Sequence, residues 1–326
     1  MPLLSRKMES NRRTDAYDSA RATHKWASQR NEDSALNARL LFEIQDVSEV
    51  ARRSLLATCA NPTCTSGWLH LWRSRSAPVF EGGWNCSAAC TSARIQAAIW
   101  RETDGAGSAE QNHKHRIPLG LVMLEQGWIT SRQLRQALEA QKSGGAGRLG
   151  HWLMSQHGLS EQLVTRALGL QWSCPVLPVQ VHDSETLTVL VPRLFVDAFG
   201  ALPLRVAAGK LLYLGFEERL DAVLALAIER MTGLRVENGI VAGSEFRSAH
   251  TRMLNAKFPP VELIEAGSEA ALVHVLAKAL ENARPAESRL VRTHDCMWLR
   301  MWLRPQRGPL PDADAVQDVI CSIASR

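Results

Sequence analysis

Four cysteines fall in two close pairs, Cys59-Ala-Asn-Pro-Thr-Cys64 and Cys86-Ser-Ala-Ala-Cys90, with 21 residues between the pairs. Thiolates grouped this way are a donor set for tetrahedral Zn(II), which takes four sulfurs at about 2.3 Å. Four protein ligands close the coordination shell and leave no position for an activated water, so the metal expected on Cys59, Cys64, Cys86 and Cys90 is structural. Four buried free thiols are the other reading of the same residues. Seven cysteines in a chain with no secretory signal fit metal or free thiol better than disulfides. Cys174, Cys296 and Cys321 have no partner pattern and are expected to be ordinary core or free thiols.

The elements around the pairs suit a small metal module. Asn61-Pro62 supplies a tight turn in the first pair. Ser87 or Thr91 can open a helix over 92–100, where Ile95, Ala98 and Ile99 line one face. The segment resembles treble-clef and zinc-ribbon modules, although its pairs enclose four and three residues instead of the commoner two. Trp68, Trp72 and Trp84 lie between the pairs with Arg73 and Arg75. Aromatics interleaved with Arg can stack on nucleic acid. A module this short has little core of its own, and packing around the metal is the expected use of those indoles.

Other candidate chemistry is thin. Gly144-Gly145-Ala146-Gly147 lacks the Gly-Lys-Ser/Thr ending of a phosphate loop, and the sequence holds no such loop, nucleophile elbow or His-Glu-x-x-His pair. Glu217, Glu218 and Asp221 are expected to open a helix, where the dipole favours acids. His113 and His115 could bind metal but lie in a polar stretch that reads as linker. The net charge of +5 is too weak to imply nucleic acid without a local patch. No apolar run reaches the length of a membrane span, and a cytoplasmic protein is expected.

The longest pattern is a repeat. With Pro118 and Arg148 as position 0, Leu-Gly follows in both copies (Leu119-Gly120, Leu149-Gly150). Paired apolar residues come next (Met123-Leu124, Leu153-Met154), then Ile129 and Leu159, then the N-cap residues Thr130 and Ser160. Leu134 and Val164, Ala137 and Ala167, Leu138 and Leu168, and finally Gln141 and Gln171 complete the match at a constant offset of 30. Each copy therefore reads as a short helix, a turn, a capped second helix and a terminal Gln. Two such units can pack about a pseudo-twofold axis. Pro118 stands at position 0 of the first copy, with Arg116 two residues upstream, and His157-Gly158 replaces Gly127-Trp128 in the second.

This pattern resembles the amino-terminal domain of type II secretion and type IV pilus assembly ATPases, the MshE-type N-terminal domain. The likeness covers about 117–254 and includes Leu202-Pro203-Leu204-Arg205-Val206 and Thr232-Gly233-Leu234-Arg235-Val236. The resemblance implies a cyclic di-GMP site at Leu119, Gly120, Leu134, Leu138, Gln141, Arg148, Leu149, Gly150, Leu168 and Gln171. An Arg stacks on a base or pairs with phosphate, backbone amides at the Leu-Gly corner approach an anion, and Gln reads a base edge. It also implies a secretion or pilus protein as partner.

The expected architecture is α+β and multi-domain: a small four-cysteine zinc module, a helical paired-repeat subdomain, then mixed α/β subdomains. Its parts are a polar tail (1–34), a helix plus the zinc module (35–101), a linker (102–116), the repeat subdomain (117–177), an α/β subdomain (178–254) and a small α/β tail (255–326). Within the last two, 201–207 and 210–215 read as a hairpin, 217–232 as a helix ended by Gly233, 234–241 as a strand and 244–254 as a short helix. A helix capped by Ser268, a strand over 296–304 with one polar-edged face, and a closing helix on Val316, Val319, Ile320 and Ile323 follow. The function expected is a non-enzymatic sensor or adaptor, with a zinc-dependent nucleic-acid-binding regulator as the alternative.

Overall fold

The computed structural model describes residues 58–65, 78–104, 116–144, 147–179, 186–306, 308 and 310–323. The tail 1–34, the helix expected over 35–57, the His113/His115 stretch, Trp68, Trp72, Arg73 and Arg75 lie outside the described residues.

The cysteine segment holds a two-residue hairpin, β1 (Val79–Phe80) and β2 (Gly83–Trp84), and one long helix, α1 (Ala88–Asp104). Ser87 starts the helix, accepting from the Cys90 amide at 3.2 Å. The helix runs past the expected end of its module, into the stretch read as linker. Its apolar stripe of Ile95, Ala98 and Ile99 joins a core built by the far end of the chain.

The repeats give four helices: α2 (Leu119–Glu125), α3 (Ser131–Gly144), α4 (Leu149–His157) and α5 (Glu161–Trp172). Both expected caps form. Thr130 and Gln133 make a reciprocal capping box, with the Thr130 amide donating to Gln133 Oε1 at 2.8 Å, and Ser160 Oγ accepts from the Leu163 amide at 3.4 Å. The helices are exchanged between copies: α2 packs on α5, and α4 packs on α3. Met123, Ile129, Ala137, Leu153, Val164 and Ala167 fill the small shared core. The His157-Gly158 difference has a simple consequence. A left-handed residue ends each short helix, Gly127 in the first copy and Gly158 in the second, so α4 runs further than α2 before it can turn.

After Trp172 the chain runs to the edge of a three-stranded sheet. Val176 pairs in parallel with Ile240, a bridge not evident from the sequence pattern. Then come α6 (Arg193–Phe199), β3 (Leu202–Ala207), β4 (Leu211–Phe216), α7 (Ala222–Thr232), β5 (Arg235–Ile240) and α8 (Gly243–Leu254). The expected hairpin is present around Ala208-Gly209, and β5 adds to β4 in parallel through the α7 crossover. The helix does not begin at Glu217: Asp221 is its N-cap, accepting from the Leu224 amide at 2.9 Å. Glu217 and Glu218 stand outside it, in the link from β4.

The last segment differs most from expectation. Strands β6 (Val261–Ala266) and β7 (Glu287–Thr293) flank the expected helix α9 (Glu269–Ala283), and neither is evident from the sequence pattern. β8 (Cys296–Trp302) is a strand as expected, but both its faces are buried. Met297, Leu299 and Met301 face α9 and α1, whereas Trp298 and Trp302 enter the core of the β3–β5 body. Arg300, expected on a polar edge, is 1% exposed and paired with Asp318 at 2.7 Å. The closing helix is instead β9 (Val316–Ile323), which lies between β6 and β8 in the order β6-β9-β8-β7. In a strand with both faces buried, Val316 and Ile320 enter one core and Val319 and Cys321 the other, a set that helical spacing can mimic. Segments 178–254 and 255–326 therefore share one core.

The cysteine segment closes the far side. The Val79 amide donates to the Pro285 carbonyl at 3.0 Å and the Glu81 amide to that of Ser288 at 2.8 Å, so β1 covers the β7 edge. Glu102, 5% exposed in α1, accepts from Arg230 of α7 at 2.5 and 2.8 Å and from the Arg292 amide at 3.2 Å. These contacts hold its carboxyl below the ordinary range against the opposing effect of burial. Among the described residues, no helix is long and apolar enough to cross a membrane.

Candidate functional site

Two sites emerge, and the cysteine cluster is the simpler. The sulfurs of Cys59, Cys64, Cys86 and Cys90 all lie within 4.8 Å of one another. Cys64 and Cys86 are 3.5 Å apart and Cys86 and Cys90 3.6 Å. Four sulfurs around a tetrahedral Zn(II) would stand about 3.8 Å apart, so the donor set fits a metal of that size. The Cys86 amide donates to Cys59 Sγ at 3.4 Å. Burial, with the neighbouring sulfurs, pushes the Cys86 thiol up to about 12. Burial also acts on Cys90, but hydrogen bonds from Ser87 and Asn61 outweigh it and bring that thiol to about 6. Four sulfurs this close cannot all ionise without a cation among them, and a bound cation would draw off their protons. Trp84 is buried against the sulfurs, so this indole serves packing and presents no face to a nucleic acid.

In the repeat pair the structure brings most of the sequence-derived residues together, in twofold-related roles. The Gln141 amide donates to the Gly147 carbonyl at 3.0 Å, and Gln171 donates to that of Ile117 at 2.8 Å. Each Gln thus holds the residue just before the other copy's position 0. Leu119 and Leu149 cross over in the same way. A Cβ on Gly120 would lie 3.0 Å from Leu149 Cδ2, and one on Gly150 would lie 3.9 Å from Leu119 Cδ2. Position 16 closes over each glycine: Leu134 Cδ1 would be 2.6 Å from a Gly120 Cβ and Val164 Cγ1 2.8 Å from a Gly150 Cβ. Leu134 and Leu168 are half-buried on the shared core, while Leu138 is 39% exposed and free to meet a ligand. At the corner itself the helical ladder begins with the amides of Leu121 and Val122 in one copy and Trp152 in the other. The amides of Leu119 and Leu149 precede it.

Arg148 is the N-cap of α4, and its exposed side chain forms an ion pair with Glu218. Arg116 lies with its guanidinium carbon 3.1 Å from the centre of the Trp172 ring. Trp172 in turn donates its indole N–H to the Glu218 carbonyl at 2.9 Å. Trp172 is not among the residues singled out in the sequence, and Glu218 is expected there only as an acid opening a helix, not at this site. Neither sits at a repeated position, and only folding brings the β4–α7 link against the end of α5. Glu161 makes a further tie between the two bodies. Its carboxylate accepts from the Ser244 hydroxyl and amide at 2.5 and 2.8 Å, which hold it below the ordinary carboxylate range.

No protein-family model and no curated protein matches the chain. Among solved structures it is similar to MshE with cdg, at 27% identity and a TM-score of 0.35, over 42% of this chain and 99% of that one. It is also similar to the N-terminal domain of XpsE, at 19% identity and a TM-score of 0.22, over 43% of this chain and 98% of the other.

Proposed function

We propose that the protein is a non-enzymatic sensor or adaptor whose repeat pair binds cyclic di-GMP and whose cysteine module holds a structural Zn(II). The observation that carries the nucleotide reading is the reciprocal Gln141–Gly147 and Gln171–Ile117 pairing. Equivalent residues occupy equivalent places about a local twofold, which matches a ligand made of two identical halves. Arg148 supplies the cation, Leu138 an exposed apolar contact, and Leu119-Gly120 and Leu149-Gly150 the two corners. The resemblance of the repeat pattern to the MshE-type N-terminal domain supports the same ligand class.

Cys59, Cys64, Cys86 and Cys90 would hold the zinc, and the chemistry supplied there is cross-linking. The metal would tie the coil around Cys59 to the start of α1, and α1 then braces the C-terminal sheet. Ligand occupancy at the repeats would set how the protein docks on a secretion or pilus component.

Calorimetry on zinc-loaded protein tests the reading. Cyclic di-GMP should give saturable heat, and Arg148→Ala should weaken binding about tenfold or more, the worth of one charge-assisted contact. No heat from the folded protein at ligand concentrations up to about 1 mM, the limit of roughly 4 kcal/mol of binding, would refute it.

A further inference from the structure

Two arginines meet where the repeat pair meets the sheet body, each from a different stretch of chain. Arg116 precedes α2 and Arg148 caps α4. Their meeting point is Trp172 and Glu218. Arg148 pairs with the Glu218 carboxylate, Trp172 holds the Glu218 backbone, and Arg116 lies on the Trp172 ring. Burial and the nearby Arg219 charge together depress the Arg116 guanidinium from its ordinary value, so two cations are held in mutual repulsion. Aromatic face, clustered guanidinium groups and one carboxylate are the parts of a site for a planar base joined to phosphate, with the carboxylate standing where the phosphate would go.

We infer that Glu218 is a built-in anion that occupies the arginine site in the unliganded protein, and that a phosphodiester ligand binds by displacing it. The inference rests on the reading that the repeat pair takes a cyclic dinucleotide. It adds a path by which binding is felt elsewhere. Glu218 sits between Glu217, paired with Arg247 of α8, and Asp221, the N-cap of α7. Moving the Glu218 carboxylate off Arg148 therefore loosens the link that ties α7 and α8 to the repeats. Because the Arg148–Glu218 pair is solvent-exposed, its own strength is small and a dianionic ligand can outcompete it.

The test is calorimetry of the full zinc-loaded chain and its Glu218→Gln variant, each with cyclic di-GMP and, separately, inorganic pyrophosphate. Glu218→Gln keeps the side-chain shape and should bind about three- to tenfold tighter than the parent. Amide exchange across 217–224 should rise when ligand is added to the parent, towards the level of unliganded Glu218→Gln. If the parent binds cyclic di-GMP and Glu218→Gln binds neither probe more tightly, the inference is overturned while the sensor reading stands. If only Glu218→Gln binds, both the displacement and the native-state sensor reading are lost, because the parent's carboxylate is then never displaced. Binding of neither probe by either protein overturns both.

Discussion

Replacing Gly150 by Ala separates two reasons for a glycine at the Leu-Gly corner. If the residue serves only to bring backbone close to a ligand, alanine should leave the unliganded protein at least as stable, because Gly inside a helix costs about 1 kcal/mol relative to Ala. The packing predicts otherwise. The added methyl would lie 2.8 Å from Val164 Cγ1, against the roughly 3.5–4.0 Å of an ordinary carbon contact. Val164 is β-branched and buried in α5, so it cannot swing aside by changing rotamer. At Gly120 the methyl would meet Leu134 Cδ1 at 2.6 Å and Leu149 Cδ2 at 3.0 Å, both at the far ends of more flexible side chains. Overpacking of this kind costs about 1–3 kcal/mol. Set against the helix gain, the net loss is about 0–2 kcal/mol for Gly150→Ala and somewhat less for Gly120→Ala. Urea denaturation should show a lowered midpoint at unchanged slope. Adding Val164→Ala to Gly150→Ala should cost less than the sum of the two single changes, since the second makes room for the first. A Gly150→Ala protein more stable than its parent, or strict additivity in the pair, would refute the packing argument.

Four further outcomes are expected. Cys86→Ser should abolish stoichiometric zinc in metal analysis and raise amide exchange in α1, because a structural zinc site contributes its binding energy to folding. Glu102→Gln should cost about 2–3 kcal/mol at neutral pH, less than the roughly 3–5 kcal/mol of a fully buried pair because Arg230 is partly exposed. The Glu102 carboxyl lies below its ordinary value in the fold, so its contribution is complete above about 4.5 and is lost as the pH falls through the depressed value. Melts of parent and Glu102→Gln from pH 7 down to pH 3 should therefore converge at the acid end. Arg300→Met should cost about 3–5 kcal/mol by stranding buried Asp318, and Arg300→Met with Asp318→Leu should recover much of it, as read by chemical denaturation. Gln141→Ala and Gln171→Ala should each lose about 0.5–1.5 kcal/mol, and unequal losses beyond that range would argue against the twofold equivalence.

The sequence by itself determined what is local or repeated. The four cysteines, the N-caps Thr130, Ser160 and Ser268, the turn at Ala208-Gly209 and the stop at Gly233 act within a few residues, and each is present in the fold. The repeat was legible because ten positions recur at one offset, and its caps and paired helices follow from that periodicity. What tertiary structure decided is where those pieces meet. β9 has helical spacing but is buried on both faces, so its environment outweighs its period. Arg300 and Glu102 are charged residues that a linear pattern places at the surface, yet each is buried because a partner far along the chain satisfies it. The candidate site divides the same way. Gln141, Gln171 and Arg148 were marked by the repeat, whereas Trp172 and Glu218 obey no period and come to Arg116 and Arg148 only because the β4–α7 link packs against the end of α5. A repeat records contacts that every copy makes, and a contact made once, between unlike segments, leaves no trace until the chain is folded.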